Sequence, residues 1–395
     1  MNPNQILVAN IGSTSFKFRL FEMPSERVLA QGGVERIGST GEAPFKIQVG
    51  DGPMRKGTSL FPDHGAAIAF VEKELGGFSG LAAVGFKPVG ARNVSGTQFM
   101  DERVLKAMEE FNTLLPAHNP PYIAGVRLFN QLYPQLPCIG TFETAFYDDV
   151  PIENRRYPIP LEWETKYGIR RYGFHGASHR YVTQRCGELR GTNELRIISC
   201  HLGGSSSIAA VRNGKAINSS WGMTAQSGLP QNNRVGDFDC FAVFYLARDL
   251  GLGVDAVEKA LTTQSGLKGL SGLPSGDVRD IVAAANSGNT DAQIALDVFT
   301  VSIRKYLGQF LVEMNGADAI VFTAGIAENE PHLREAICAN LGFCGLELDL
   351  EANAKVRAEE AVISTPGSKI EVRVIPTNEE LIIARNAWAK LSTSN

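Results

Sequence analysis

Two stretches of this 395-residue chain set glycine and clustered hydroxyls at the end of an apolar run. In residues 6–21, Gly12 is followed by Ser13, Thr14 and Ser15, with Asn10 and Lys17 on either side. In residues 197–212, Gly203 and Gly204 precede Ser205, Ser206 and Ser207. Aligning Gly12 with Gly203 superimposes both the apolar runs and the hydroxyl triplets. Such a turn offers converging N–H and O–H donors without bulk, which suits a polyphosphate. One alone reads as a hairpin bend. Two in equivalent halves imply a nucleotide gripped between duplicated domains, and therefore a kinase.

Each turn needs strands to carry it and helices to back those strands. Residues 101–115 place apolar side chains three and four apart, a helical pattern. The segment 117–121, with two prolines, breaks the chain before a second helix over about 123–132. Residues 137–142 read as a short strand, and a loop rich in proline and charge over 148–164 forms the border between domains. In the second half a helix is expected near 177–189, then a hairpin whose Asn213-Gly214 calls for a tight turn. Thr290-Asp-Ala-Gln293 reads as a capping box opening a helix that runs to about Met314. A buried strand over 319–323 runs into Ala324-Gly-Ile-Ala-Glu-Asn329. A strand over 371–375 leads to a last helix opened by Thr377-Asn-Glu-Glu380. Strands alternating with helices make an α/β fold. It divides as residues 1–147 plus about 381–395, and residues 148–380.

The chain is too long for one ordinary core, and its 44% apolar and 20% charged residues are those of a soluble globular protein. A net charge of −4 gives no attraction to nucleic acid or an anionic membrane, so any phosphate site must be local. The start lacks the basic region of a signal peptide, and no apolar stretch approaches the ~20 residues of a membrane helix. The six cysteines lack metal-like spacing and read as reduced thiols in a cytoplasmic protein.

Seven ordered motifs carry a resemblance to the acetate kinase family, within the larger sugar kinase, heat-shock ATPase and actin superfamily. They are Asn10-x-Gly-Ser-Thr-Ser-x-Lys17, His118-Asn-Pro120, Tyr167 to His179, His201-Leu-Gly203, Arg234-Val-Gly-Asp237, Phe322-Thr-Ala-Gly-Ile-x-Glu-Asn329 and Ile375-Pro-Thr-Asn-Glu-Glu-Leu381. The resemblance implies two duplicated ribonuclease-H-like domains with a cleft between them, usually in a homodimer. It also implies transfer of phosphate from ATP, with Mg²⁺ or Mn²⁺, to a short carboxylic acid. The chemistry fits: a carboxylate acceptor is already ionised at pH 7, so the site needs cations and donors more than a base. Arg234 could clamp a carboxylate and a phosphoryl oxygen together. His175 and His201 could donate to the phosphoryl group, whereas His179 reads as structural. By the same resemblance, Asn10, Ser13, Ser15 and Lys17 form one phosphate turn and Gly203, Gly204 and Ser205 the other. Glu379, with Asn10, is associated with the metal, and Glu380 is a helix-capping residue. Gly325, Ile326 and Asn329 receive the adenosine, beside Asp277, Val278 and Arg279. The small Gly325 favours ATP over pyrophosphate.

The departures from that pattern are specific. The family's substrate-side arginine is Lys87 here, unless Arg92 replaces it, and its active-site aspartate is Glu143. The asparagine after His-Leu-Gly is Gly204, removing a side-chain donor to phosphate. The family's Gly-Thr-Arg-Ser-Gly-Asp is Asn232-Asn-Arg-Val-Gly-Asp237. In the acyl pocket, a leucine becomes Ala117 and a proline becomes Ala225, while Val89 and Phe174 remain as walls. These two large-to-small changes make room for an acid larger than acetate: propionate, butyrate, or a branched or hydroxylated acid. The changes at Lys87, Glu143 and Gly204 leave a second reading open, a nucleotide-binding relative that has lost catalysis and serves a regulatory or structural role.

Overall fold

The first glycine turn closes a hairpin. Strand β1 (Gln5–Gly12) pairs antiparallel with β2 (Ser15–Glu22), Gly12 standing opposite Ser15 and Asn10 opposite Lys17. The computed structural model describes residues 3–116 and 118–393, which fall into two units, Met1–Asp148 with Asn378–Asn395, and Asp149–Thr377. In the first unit, β3 (Arg27–Glu35), β4 (Ala43–Val49) and β5 (Arg55–Ser59) extend the meander beyond β2. On the other side β6 (Leu81–Phe86) runs parallel to β1, and β8 (Cys138–Thr141) parallel to β6, with the short β7 (Thr97–Phe99) at the edge. The sheet order is β5-β4-β3-β2-β1-β6-β8-β7.

The second unit repeats the plan. Strands β9 (Arg196–Leu202), β10 (Ser206–Arg212) and β11 (Lys215–Ser219) form the antiparallel meander. Strands β12 (Ala319–Thr323) and β14 (Glu371–Val374) join β9 in parallel, with β13 (Ala361–Val362) at the edge. Thus β3-β2-β1-β6-β8 and β11-β10-β9-β12-β14 share one order and one set of directions, the ribonuclease-H-like arrangement. Each glycine turn sits at the same place in its unit, between the central strand and its antiparallel neighbour. The hairpin expected at Asn213-Gly214 forms with both residues at positive φ, 52° and 77°, as a tight two-residue turn requires.

Each unit has its own core. Phe16, Phe86 and Phe129 anchor the first; Phe299, Phe310 and Phe322 anchor the second. Each fully buried ring contributes about 1.5–3 kcal/mol. The helix Glu379–Ser392 packs on β1, β6 and β8. Gly85 permits that approach, because a Cβ there would stand 2.9 Å from Ile383 Cγ2. Among the described residues no helix is long and apolar enough to cross a membrane.

Several local expectations are corrected. The 101–115 helix stops at Glu109, and residues 111–114 continue as turns closed by i→i+3 bonds, which preserve an apolar spacing of three. The helix expected from 123 begins at Asn119, because the two prolines lie in its first turn, where their missing N–H groups cost nothing. Asn289, not Thr290, caps the long helix Thr290–Glu313, accepting from the Ala292 N–H. Asn378, not Thr377, caps Glu379–Ser392. The border segment 148–164 holds a short helix, Ile152–Arg155, and the first turn of the helix Leu161–Tyr167.

Candidate active site

The expected site residues of the first unit gather at the carboxyl ends of its parallel strands, where open α/β sheets bind ligands. Lys87 directly follows β6, and Glu143 opens a short 3₁₀ turn just after β8. Glu379 lies in the first turn of the helix Glu379–Ser392. The Lys87 Nζ donates to Glu143 Oε1 at 2.8 Å and to Glu379 Oε2 at 2.5 Å. Glu143 is only 4% exposed. Burial works to discharge the Lys87 ammonium, but Glu143 and Glu379 outweigh it and hold its pKa well above the ordinary lysine value. The Tyr122 phenol donates to Asn10 Oδ1 at 3.0 Å. Burial raises the pKa of that phenol; Lys87 opposes the rise, and Glu143 and Glu379 add to it. Tyr122 therefore ties Asn10 to the charged trio, a link that the sequence reading did not include.

Arg92 pairs instead with Glu110 at 3.0 Å, both half exposed. The structure thus gives Glu143 the Lys87 ammonium as its cation. Lys17, opposite Asn10, makes no ion pair among the described residues, and His64 Nε2 bonds the Gly12 carbonyl at 2.9 Å, bracing the turn from behind. Val89 is buried. Ala117, expected in the acyl pocket, lies outside the described residues.

In the second unit Arg234 is the centre of a small network. Its Nη2 donates to Ser205 Oγ at 2.9 Å and to Gln231 Oε1 at 2.6 Å, and Ser205 Oγ donates to the same Gln231 oxygen at 2.7 Å. Among the described residues no carboxylate pairs with Arg234, and burial pulls its pKa below the usual guanidinium value. A desolvated cation held by neutral acceptors is a prepared anion site. Gln231, 1% exposed, also donates through Nε2 to the Ala225 carbonyl at 3.1 Å. One amide thereby links the phosphate turn, the expected clamp and the expected acyl wall. Sequence reasoning missed Gln231, since a glutamine in a polar loop carries no signal of its own.

The histidines cluster as well. His175, at φ 55° before the helix Gly176–Arg190, stacks on His201 with ring centroids 4.0 Å apart and 15° between planes. Phe174 packs on the buried Trp221 at 4.7 Å, and Trp221 meets His175 edge-on at 5.2 Å. Ser207 Oγ bridges His175 Nδ1 (2.9 Å) and His179 Nε2 (2.8 Å), and Ser199 Oγ reaches His179 Nδ1 (2.7 Å). A hydroxyl has one proton to give. When Ser199 donates to His179, His179 donates to Ser207 and Ser207 to His175, the proton of a neutral His175 resides on Nε2. His179 is fully buried, and burial, then the neighbouring His201, drives its pKa well below the ordinary value, so it stays neutral. His201 Nδ1 is held by Ser178 Oγ at 2.8 Å.

The expected nucleotide segments surround the second turn. A Cβ on Gly203 would stand 3.6 Å from Ala324 Cβ and 3.9 Å from His201 Nε2. The Ala324–Asn329 segment is a six-residue helix entered through Ala324 at φ 70°. Glu328 Oε1 accepts from the Ala324 N–H at 2.7 Å and from the Thr377 N–H at 3.3 Å. Behind the turn, Arg334 is completely buried and donates to the carbonyls of Ala327, Glu328, Asn353 and Val356. Burial lowers its pKa to about 10. Gly325 faces open space, and Asn329 Nδ2 closes back on its carbonyl at 2.9 Å. Asp277 caps the helix Val278–Asn286 and grips Arg279 at 2.6 Å, which lowers the Asp277 pKa to about 2.

Comparison with known proteins agrees with this geometry. The family model described as the acetokinase family matches residues 5–385. The acetate kinase of Pseudothermotoga lettingae is 42% identical over 398 residues, spanning 97% of this chain and 96% of that one. That of Geobacillus kaustophilus is 44% identical over 391 residues, spanning 97% and 98%. Among solved structures, Porphyromonas gingivalis acetate kinase superimposes with a TM-score of 0.89 at 37% identity, over 98% of this chain and all of that one. A propionate kinase from Francisella tularensis gives 0.89 at 30% identity, over 98% and 99%. With the duplicated sheets, each carrying its glycine turn, and with relatives of this identity and coverage, the chain belongs to the acetokinase family of kinases that phosphorylate a carboxyl group.

Proposed function

We propose that this protein transfers the γ-phosphoryl group of ATP to a short-chain carboxylic acid, reversibly, giving an acyl phosphate and ADP. The observation that carries the reading is Arg234, a half-buried guanidinium that pairs with no carboxylate among the described residues and is tied through Ser205 to the second glycine turn. A carboxylate oxygen of the acid attacks γ-phosphorus, and the bond from phosphorus to the β–γ bridging oxygen breaks. No proton has to move, because the acid arrives ionised and ADP leaves as an anion. Arg234 is the residue to orient the attacking carboxylate against the phosphoryl oxygens. His175 Nε2–H supplies a donor where negative charge spreads in the transition state. The Gly203–Ser205 backbone beside Arg234 is the element to hold phosphate in the second unit, and Ser13, Ser15 and Lys17 form the corresponding phosphate turn of the first.

The oxygen donors of Glu379 and Asn10 suit Mg²⁺ or Mn²⁺, which binds through few protein ligands together with substrate phosphates and would neutralise their charge. The ammonium of Lys87 offsets one of the two charges on Glu143 and Glu379, which leaves a net negative charge for a cation to neutralise.

The acid is larger than acetate in this reading. Ala225 and Phe174 are buried in the second unit, and alanine leaves volume that a bigger side chain would fill. Each added methylene that finds a partner contributes about 0.8 kcal/mol, roughly fourfold in kcat/KM. A hydroxamate trap for acyl phosphate, run with ATP and Mg²⁺ on C2–C5 acids, tests both statements. Acyl phosphate from a C3–C5 acid at higher kcat/KM than from acetate is expected. Highest kcat/KM on acetate would overturn the size preference alone, and nucleotide binding with no product from any acid would favour a non-catalytic relative. We assign the protein to the cytoplasm as a homodimer. Its six cysteines are all free thiols, and Phe241, Phe244, Leu252 and Val254 are more than half exposed on neighbouring segments of the second unit. Light scattering on a Phe241→Asp, Phe244→Asp variant should report half the wild-type mass.

A further inference from the structure

The second phosphate turn has an unexplained neighbour. A Cβ on Gly204 would stand 3.1 Å from Asn232 Nδ2 and 3.5 Å from its Cγ. The Asn232 carboxamide therefore already occupies the space into which a side chain at position 204 would grow. Its placement is fixed by the backbone: the Asn232 N–H donates to the Gly204 carbonyl at 3.2 Å, and its own carbonyl accepts from the Lys268 N–H at 2.8 Å. Gly276 comes so close that any side chain there would overlap the Asn232 carbonyl, which seals the loop from behind. Yet Asn232 Oδ1 is buried without a hydrogen-bond partner. That oxygen is an acceptor and calls for a donor, whereas Nδ2, 3.1 Å from where a Gly204 Cβ would stand and without a hydrogen bond among the described residues, is left to donate to a ligand. The surroundings name its chemistry. Arg234 lies two residues on, and Ser205 next to Gly204, so the region attracts an anion. The sequence carries the same message: where the family pattern has asparagine after His-Leu-Gly this chain has glycine, and where the family has glycine this chain has Asn232.

We propose that Asn232 is a phosphate-binding residue of the nucleotide site. Its amide donates to the ATP tail from across the turn, in place of a side chain at residue 204. The donor has changed strands of the loop while keeping its place in space. This rests on the kinase reading above, and the test separates the two.

Titration calorimetry with Mg²⁺ should compare ADP and AMP on the wild type, Asn232→Gly, Gly204→Asn, the double swap and Asn232→Asp. Loss of one hydrogen bond to a charged oxygen predicts about a tenfold weaker ADP for Asn232→Gly, with AMP changed less than twofold. Gly204→Asn alone should weaken ADP comparably, because two carboxamides then compete for one space. The double swap should return to within about threefold of wild type. Asn232→Asp keeps the shape, and so the fold, but should weaken ADP about a hundredfold by repulsion. ADP binding that Asn232→Gly leaves within twofold would overturn the proposal. So would an equal loss for AMP, which marks a structural role, or a double swap no better than either single change. Wild-type protein that binds neither nucleotide would overturn the kinase reading, and this proposal with it.

Discussion

Changing Gln231 to glutamate should separate stability from activity. The substitution keeps every heavy atom in place, and the new carboxylate would still accept from Arg234 Nη2 and Ser205 Oγ, now 2.6 and 2.7 Å from the amide oxygen. Its Nε2 bond to Ala225 is lost, while an ion pair with Arg234 is gained. Those terms are each about 1–2 kcal/mol and opposed. The melting temperature should therefore stay within a few degrees. Activity should not survive. An anion near Arg234 repels both the incoming carboxylate and the phosphoryl oxygens; at about 4 Å and an effective dielectric of 20 this amounts to about 4 kcal/mol. That corresponds to roughly a thousandfold in kcat/KM. Gln231→Leu removes the amide without adding charge and should cost only tenfold to a hundredfold. Steady-state ADP release with acid and ATP varied in turn, beside a thermal melt, reads both quantities. If Gln231→Glu keeps kcat/KM within threefold of wild type, Arg234 is not the cation that the anions meet.

Three further outcomes follow from other parts of the structure. Lys87→Arg and Glu143→Asp, which lengthen the cation and shorten the carboxylate, should each lower kcat/KM about tenfold alone and recover together, since their reach is complementary across 2.8 Å; additive losses in the double variant would contradict this. His179, whose pKa is depressed by burial, binds a proton in the unfolded chain before it does in the folded one. Stability that is complete above about pH 6.5 should thus fall by up to 1.4 kcal/mol per pH unit as pH drops below it. A Tm-versus-pH series should flatten in His179→Gln, and parallel curves would refute the assignment. Arg334→Met should destabilise the protein by about 3–5 kcal/mol, by taking the Arg334 donors from the Ala327 and Asn353 carbonyls and from Asn353 Oδ1, and should raise the ATP KM more than the acid KM. Equal effects on both would show that Arg334 does not act through the Ala324–Asn329 turn.

What the sequence made legible was whatever local chemistry encodes. The two hydroxyl turns were visible because glycine and serine triplets sit at matching places in two apolar runs, and the strand pairs around them follow. The caps were displaced by one residue each, because asparagine is the stronger cap and stands beside threonine at both helix starts. Pairings across the sheet could not be seen. Lys87 and Glu143 are far apart in the chain and meet only because β6 and β8 are parallel neighbours. Arg334 carried no motif at all, since its partners are backbone carbonyls that any sequence could supply.

The departures from the family pattern bear on whether this is a working enzyme, and their geometry argues that they were retuned together. Random loss at an active site removes one member of an interaction and leaves the other exposed to the cost of burial without a partner. For a carboxylate as enclosed as Glu143, that cost is several kcal/mol. Here the changes come in pairs that touch. A shorter cation at Lys87 faces a longer carboxylate at Glu143, at ordinary ion-pair distance. A side chain missing at Gly204 faces one present at Asn232, filling the same space. Each pair preserves charge, volume or donor count while altering reach. A catalytic centre maintained for a different acid would show this pattern, because the fit to the acid can change only if the electrostatics around the phosphoryl group do not.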